Sequence, residues 1–460
     1  MGKTFDLQPK AVRVVDTKFR KIVTKIPAPD SVEVLQTLYR CEPVAMRGQP
    51  PIVWDRAEGF QVFDPYGNVW LDWSSGVLVT NAGHGAPEVK EAILDVVEKG
   101  LLHTFCFPNA QRAKLVDYLV GIAPQGLNKV FLLTTGSETI ECAIKLSRTH
   151  GQRVGGREKI GIVSFERAFH GRTLGAQMIG GIPSLKTWIV NLDPDMHQVP
   201  FPDGFRTPDT RFDLFLRALA EKGVGPNRVA GVILETFQGG GASFAPKEYI
   251  QALARWCREN QVLLIFDEVQ ASFGRSGKLF AFEHYEVVPD LICCGKGISS
   301  SLPLSAVIGR PEVMDLYGPL EMTNSHGGNP VCAAAALASI RKIVEDKLVE
   351  NAFATGEILH AGLARIRQRH PDIIGAVHGR GLVAGIHMVH RGGKDPDGEL
   401  AFSIVERAYQ KGLLMFAPVG VGEATVKICP PLVITEEAVL DGLAALGAAI
   451  DEASSGAMGA

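Results

Sequence analysis

Long apolar runs, excess charge and paired cysteines are all missing from this sequence of 460 residues. No apolar stretch approaches the ~18 to 20 residues that cross a bilayer, and the first residues alternate charges instead of forming the apolar core of a signal peptide. We therefore expect a cytoplasmic protein with no membrane partner. Lysine and arginine number 47 against 50 acidic residues, which leaves no basic field for nucleic acid. We expect small-molecule substrates.

Cysteine and histidine patterns of the kind that bind metals are also missing. The eight cysteines form no CxxC pair and no regular framework, so we interpret them as reduced core residues. His387 and His390 lack a third ligand and helical spacing, so no metal site is predicted. Residues 379–384 fit a GxGxxA dinucleotide pattern, but they lead into a strand-like segment instead of a helix, and we reject that assignment.

Glycine and alternating apolar segments are what the sequence has in quantity. With 50 glycines, 46% hydrophobic and 21% charged residues, it describes a compact α/β protein. Residues 1–65 predict an N-terminal arm with a small strand pair. Residues 66–330 alternate short β-branched runs with helical patterns, which predicts a large α/β domain with a mostly parallel sheet covered by helices. Residues 331–460 predict a C-terminal α+β domain that begins with one long helix.

The clearest predicted strands of that sheet are 129–133, 160–165, 229–234, 262–266 and 291–294, and further strands are expected over 374–388. Two of the strands end on residues suited to cofactor chemistry. Asp267 and Glu268 follow one strand, and an acid at the carboxyl end of a parallel strand faces the crevice where such sheets bind ligands. Lys296 follows another, between two glycines, and a lysine in such a setting is suited to forming an imine. The alternatives are an acid that caps the next turn and a surface lysine in a glycine-rich turn.

A candidate anion site follows the predicted strand 129–133. Residues 134–138 open a helix, whose unpaired backbone N–H groups and dipole favour a bound dianion. Capping of that helix by Ser137 is the alternative. Further along, Phe169, His170, Gly171 and Arg172 place an aromatic ring, an imidazole and a guanidinium side by side.

Together, residues 263–277, Pro289 with Asp290, and Gly295 with Lys296 resemble the class III (4-aminobutyrate/ornithine type) aminotransferases, which depend on pyridoxal 5'-phosphate (PLP). The resemblance extends from about residue 40 to the C-terminus. It implies fold type I of the PLP-dependent transferases, with Lys296 forming the internal aldimine and Asp267 paired with the pyridinium nitrogen. A carboxylate there keeps the nitrogen protonated, which makes the ring an electron sink.

The resemblance also implies roles for the other site residues. Gly136 and Ser137 would bind the cofactor phosphate, Phe169 and Val269 would pack on opposite ring faces, Gln270 would lie beside the 3-hydroxyl, and His170 and Glu235 would lie near the ring. Ser325 stands where the family has a threonine that reaches the neighbouring subunit, so we expect a homodimer or dimer of dimers with shared active sites. A core phenylalanine is the alternative for Phe169.

Substrate-binding residues are where the sequence departs from its family. Arg172 matches an arginine that binds the substrate carboxylate, with a surface ion pair as the alternative. Many relatives that use 2-oxoglutarate pair a glutamate with a C-terminal arginine, but here Gly240 lies at or beside the glutamate position and Lys427 replaces the arginine. Lys427 is then free to meet an anion permanently, which argues against 2-oxoglutarate and leaves pyruvate or another small oxo acid open. The alternative is that Lys427 merely extends along the surface.

The resulting hypothesis is an aminotransferase that moves an amino group from an amine or amino acid to a small 2-oxo acid. Racemisation or epimerisation, or phospho-lyase chemistry, within the same family is the first alternative. A non-catalytic binding module is the second, and the presence of Lys296, Asp267 and Gln270 together argues against it.

Overall fold

The computed structural model describes residues 3–456. The strands are β1 (Val15–Asp16), β2 (Lys21–Ile22), β3 (Arg56–Glu58), β4 (Gln61–Phe63), β5 (Val69–Asp72), β6 (Lys129–Leu133), β7 (Gly161–Phe165), β8 (Met196–Val199), β9 (Val229–Glu235), β10 (Phe237–Gln238), β11 (Ser243–Phe244), β12 (Leu263–Asp267), β13 (Leu291–Cys294), β14 (Ser305–Gly309), β15 (Ile374–Arg380), β16 (Val383–Met388), β17 (Leu413–Leu414) and β18 (Thr425–Ile428).

The α-helices are α1 (Val32–Cys41), α2 (Ser75–Leu78), α3 (Pro87–Glu98), α4 (Ala110–Ile122), α5 (Gly136–Gly155), α6 (Leu174–Ile179), α7 (Asp213–Glu221), α8 (Lys247–Glu259), α9 (Pro311–Met314), α10 (Pro330–Glu345), α11 (Leu348–Arg369), α12 (Gly398–Gln410) and α13 (Glu436–Gly456). Short 3-10 helices lie at Pro29–Ser31, Val44–Met46, Pro183–Leu185, Pro226–Arg228, Ala281–Tyr285, Lys296–Ile298 and Val421–Glu423. Within residues 3–456, none of the helices combines the length and the apolar character that a membrane crossing requires.

The chain forms two compact units, and each is described by itself. The larger unit comprises Pro87–Gly239 and Ser243–Val349, and the smaller comprises the chain up to Ala86, Gly240–Ala242 and the chain from Glu350. This division differs from the expected one, because the N-terminal arm and the C-terminal part form one unit. Strand β17 pairs in parallel with β5, and the Arg20 guanidinium binds the Asp441 carboxylate at 2.7 Å.

The larger unit contains a seven-stranded sheet in the order β6-β14-β13-β12-β9-β7-β8. The five strands from β13 to β8 are parallel, and β14 is antiparallel to both of its neighbours. The expectation of a mostly parallel sheet is confirmed. Helix α5 packs on β9, β13 and β14 through a buried face that includes Ile140, Ala143 and Ser147. This packing fixes the start of α5 at the carboxyl end of the sheet.

The predicted long helix after residue 330 is two helices, which is a correction to the expected boundary. Helix α10 ends at Glu345, and Lys347 takes a left-handed conformation with φ of 55° before α11 begins. Helix α10 packs on α3 and α4, so it belongs to the larger unit.

The smaller unit contains two sheets. Strands β1 to β5 form one with β17, and β15, β16 and β18 form an antiparallel sheet of three strands. The GxGxxA pattern lies in the β15–β16 hairpin, so rejecting it as a dinucleotide motif is consistent with the absence of a following helix there.

Candidate active site

A cavity of about 150 Å³ lies at the carboxyl end of the larger unit's sheet. It is lined by Thr135, Gly136, Ser137, Phe169, His170, Gly171, Glu235, Phe237, Asp267, Val269, Gln270 and Lys296. These residues come from the ends of β9, β12 and β13, the turn after β7, the short strand β10 and the start of α5. Nine of the residues named from the sequence therefore meet in one place.

Lys296 lies half-buried in this cavity at the start of a 3-10 helix. Its φ of 41° is left-handed, a conformation that costs a non-glycine residue about 1 to 3 kcal/mol and that clusters at functional sites. The preceding Gly295 packs against Val269, where an added Cβ would lie 3.1 Å from the Val269 Cγ1. The surface alternative for Lys296 is wrong, because the half-buried residue lines the cavity.

Asp267 forms a buried pair with His170. The Asp267 Oδ2 lies 2.7 Å from the His170 Nδ1, and its Oδ1 accepts the Val269 N–H at 3.1 Å. Burial alone would lower the pKa of His170, but the hydrogen bond and charge of Asp267, together with the charge of Glu235, raise it above its ordinary value. The His170 Nε2 is buried and has no hydrogen-bond partner among residues 3–456. The Asp267 carboxylate therefore favours the protonated form of the buried His170 imidazole.

Glu268 takes the capping role that was the alternative for Asp267. Its Oε2 accepts the Ala281 N–H at 3.0 Å, and its Oε1 accepts the Phe282 N–H at 2.9 Å and the Thr236 hydroxyl. Burial raises the pKa of Glu268 to about 7, although these hydrogen bonds oppose the shift. Glu268 does not line the cavity, so the two adjacent carboxylates have separate tasks.

Glu235 ends β9 and borders the cavity. Its Oε2 accepts the Phe169 N–H at 3.0 Å and its Oε1 accepts the Gly239 N–H at 2.9 Å. Burial, with a contribution from the charge of Asp267, raises the pKa of Glu235 to about 7, while His170 and the two backbone N–H groups act in the opposite direction.

The start of α5 is capped by Thr135, which corrects the alternative role given to Ser137. The Thr135 hydroxyl accepts the Glu138 N–H at 3.3 Å, and the Glu138 Oε2 accepts the Thr135 N–H at 2.7 Å. Ser137 lies in the first helical turn, where its Oγ accepts the Arg172 N–H at 3.2 Å. An added Cβ at Gly136 would lie 2.7 Å from the Val269 Cγ1. The glycine thus allows the start of α5 to pack closely against Val269.

Arg172 and Ser325 belong to the larger unit but do not line the cavity. Arg172 is exposed, with its guanidinium carbon 5.6 Å from the centre of the Phe169 ring. Ser325 is exposed in the segment before α10. In the smaller unit, Lys427 lies in β18 and is only 2% exposed, so the surface alternative for it is wrong. An added Cβ at Gly240 would lie 3.1 Å from the Gly420 Cα.

Sequence reasoning missed Thr135, Gly171 and Phe237 as cavity residues. Two of them had a signal: Thr135 and Glu138 form a capping-box pattern, and Gly171 lies inside the quoted Phe-His-Gly-Arg run. An added Cβ at Gly171, whose φ is 135°, would lie 2.2 Å from the Ser137 Oγ. Phe237 had no signal, because it belongs to a strand of two residues.

Comparison with known proteins settles the family. Residues 44–450 match the family model described as aminotransferase class-III. The chain belongs to the class III aminotransferases. Like that family it depends on PLP and transfers amino groups, and the expectations for fold, activity and cofactor are confirmed. The residues present fit PLP, because one cavity combines a lysine, a buried carboxylate and the N-terminus of a helix.

Individual relatives cover nearly the whole chain. It is 35% identical over 439 residues to a 4-aminobutyrate aminotransferase of Mycobacterium leprae, covering 92% of this chain and 96% of the relative. It is 32% identical over 472 residues to an alanine/serine racemase of Pyrococcus horikoshii, covering 98% and 97%. An aminotransferase structure from Bacillus anthracis matches with a TM-score of 0.84 at 28% identity, covering 94% and 100%.

Proposed function

We propose that the cavity of the larger unit holds PLP and that Lys296 is its point of attachment. Asp267 would lie against the ring nitrogen, and Gly136 and Ser137 at the start of α5 would bind the phosphate. The observation that supports this proposal is that Lys296 and the Asp267–His170 pair line the same cavity as that helix N-terminus. When bound, PLP supplies an electron sink for the negative charge that develops beside the substrate nitrogen.

The residues around the cavity have distinct tasks in this proposal. The His170 imidazole holds the Asp267 carboxylate in place through a hydrogen bond, so that this side chain would face the ring nitrogen. The Lys296 Nζ accepts a proton from the substrate carbon and returns one, as a general base and acid within the site. Phe169 and Val269 line the cavity and would exclude water from the ring faces, while Gln270 would orient the ring edge.

We assign the acceptor as a small 2-oxo acid such as pyruvate, with Arg172 and Lys427 as carboxylate contacts. Gly240 supports this assignment, because the Gly420 backbone leaves a side chain at position 240 little room. A side chain there would push the Gly420 backbone by a few tenths of an ångström, and without a glutamate the residue pair that serves 2-oxoglutarate in many relatives does not form. Lys427 also lacks the planar fork with which arginine binds carboxylates.

The active unit in this proposal is a cytoplasmic homodimer or dimer of dimers, in which Ser325 contacts the phosphate site of a second subunit. Exposed apolar side chains near Ser325 support an interface there. Phe107 is 74% exposed and Leu102 is 56% exposed. The Asn329 side chain donates to the Leu102 carbonyl at 2.6 Å, so this apolar segment adjoins the Ser325 segment. Light scattering and a Ser325→Ala variant with weakened PLP binding would test this part.

Reductive labelling tests the attachment of the cofactor. Borohydride treatment of the PLP-loaded protein, followed by peptide mapping, is expected to label Lys296 alone. The Lys296→Ala variant is expected to bind PLP only non-covalently and to lose transferase activity. A label on another lysine would show the assignment of Lys296 to be wrong.

Racemisation is a second candidate function, favoured by the similarity to the alanine/serine racemase. The two reactions differ in the carbon that receives the proton, and absorbance spectra of the bound cofactor distinguish them. With amines or amino acids alone, a transaminase converts the bound cofactor to its aminated form, which pyruvate or 2-oxoglutarate then reverses. Inversion of L-alanine or L-serine without any oxo acid would instead establish the racemase. Faster reversal by 2-oxoglutarate than by pyruvate would contradict the assigned acceptor.

A further inference from the structure

Glu235 joins two turns that border the cavity. One of its carboxylate oxygens accepts the N–H of Phe169, in the turn after β7, and the other accepts the N–H of Gly239, in the turn after β10. The two turns lie 70 positions apart, counted from Phe169 to Gly239. A single side chain, 5% exposed, therefore ties together segments that are distant in sequence.

Each of these turns leads to a side chain in the cavity. Phe169 itself lines it, and Gly239 packs closely against Gln270, which also does. An added Cβ at Gly239 would lie 2.5 Å from the Gln270 Nε2 and 2.8 Å from the Glu235 Oε1. Because interiors are close-packed, a shift of Gly239 is transmitted to Gln270.

A buried carboxylate is a costly way to fill this space. Its charge is stabilised only by hydrogen bonds and nearby charges, and an apolar residue would leave two buried backbone N–H groups without an acceptor. Both oxygens of Glu235 are occupied by those N–H groups. Its geometry therefore suits a brace between the two turns better than a proton carrier.

We propose that Glu235 is a positioning residue, which holds Phe169 and Gln270 in place around the cofactor through the Phe169 and Gly239 backbone. The proposal rests on the placement of PLP in this cavity. Glu235 acts through its neighbours, and neither the proton transfer nor the substrate contact passes through its carboxylate.

Glu235→Gln tests the brace, because an amide has one accepting oxygen and its NH2 group must face the second backbone N–H. We expect amide hydrogen exchange at Phe169 or Gly239 to accelerate roughly five- to tenfold in the PLP-free protein, the equivalent of one hydrogen bond. In the loaded protein, the circular dichroism band of bound PLP should weaken, and PLP should dissociate faster by a similar factor. Glu235→Asp should fall between the variant and the wild type.

Glu268→Gln is the matched control, because Glu268 is also buried and accepts two backbone N–H groups but does not line the cavity. It is expected to lower thermal stability while leaving exchange at Phe169 and Gly239 and the dichroism band unchanged. A dichroism band that weakens equally in both variants would overturn the proposal.

Three further results would also overturn it. Faster exchange in Glu235→Gln with an unchanged dichroism band and dissociation rate would reduce Glu235 to a purely structural role. Unchanged exchange would remove the brace itself. If the variant does not fold, the wild type decides, because Phe169 and Gly239 amides that exchange as fast as exposed ones exclude a brace. Misplacement of PLP would be detected separately, as a borohydride label outside Lys296.

Discussion

Two buried glutamates on neighbouring strands show how similar chemistry serves either a site or its scaffold. Glu235 ends β9 and Glu268 follows β12, each accepts two backbone N–H groups, and burial raises the pKa of each to about 7. The N–H groups of Glu235 belong to turns at the cavity. Those of Glu268 belong to the 3-10 helix Ala281–Tyr285, which packs on the sheet through the Phe282 and Phe266 rings, 5.7 Å apart.

The alternation of side chains along a strand explains the division. Asp267 lies directly opposite Glu235 in the parallel ladder, so the two carboxylates share a face at the end of the sheet. One residue further on, Thr236 and Glu268 meet on the other side, where the Thr236 hydroxyl donates to the Glu268 carboxylate. Position along the strand therefore decides which acid faces the cavity.

We expect the largest difference between site and scaffold when the two adjacent acids, Asp267 and Glu268, are each replaced. Asp267→Asn is expected to lower the rate of the first half-reaction by roughly a hundred- to a thousandfold, because a neutral amide cannot hold the charge at the ring nitrogen. Glu268→Gln is expected to stay within a few-fold of the wild type. Single-turnover absorbance measurements with an amino donor test both. Near-normal turnover in Asp267→Asn would mean that Asp267 is a strand-end cap like its neighbour.

Much of this arrangement could be predicted from the sequence, and its limits have physical causes. Strands β6 and β13 were predicted to the residue, because short β-branched or apolar runs bounded by turns leave little choice. Residues after such strands, such as Asp267 and Lys296, were identified as cavity residues for the same reason. Local pattern and local structure agree at these places.

Contacts between distant segments could not be predicted in this way. The partner of Asp267 is His170, 97 residues earlier, and the partners of Glu268 include the N–H groups of Ala281 and Phe282. The break between α10 and α11 was missed because an alanine-rich helical pattern continues through it, while the chain turns at the left-handed Lys347. The partners that each buried acid finds therefore depend on tertiary contacts that local patterns do not encode.

The contribution of Glu268 to the free energy of unfolding should depend on pH. Its folded-state pKa of about 7 exceeds the ordinary value of 4.5, so between these values the folded state binds more protons than the unfolded state. The free energy of unfolding therefore falls as pH rises through this window, by up to about 3 kcal/mol at ~1.4 kcal/mol per pKa unit. Glu268→Gln should remove that slope. Urea unfolding at pH 5 and pH 7.5 measures it, and parallel curves for the wild type and the variant would contradict the expectation.

Replacement of Thr236 should have the smallest effect of these changes, a loss of stability without a loss of activity. Its hydroxyl donates to Glu268, its N–H reaches the Asp267 carbonyl at 3.4 Å, and its carbonyl accepts the Tyr285 hydroxyl at 2.7 Å. Valine keeps the shape and both backbone bonds but removes the hydroxyl. Thr236→Val is therefore expected to lower the free energy of unfolding by about 1 to 3 kcal/mol, since a buried carboxylate loses one donor.

Thr355→Val provides the control for that loss. Thr355 is buried, at 4% exposure, and its hydroxyl donates at 2.6 Å to the Asn351 carbonyl in its own helix. That carbonyl keeps its place in the helix ladder, so this loss is expected to stay near 0.5 to 1 kcal/mol, the net value of a neutral hydrogen bond. Because Thr236 acts on Glu268 rather than on the cavity, single-turnover rates should be unchanged in both variants. A slower half-reaction in Thr236→Val alone would show that the scaffold side of the strand also sets the position of Asp267, and the separation drawn between the two glutamates would then fail.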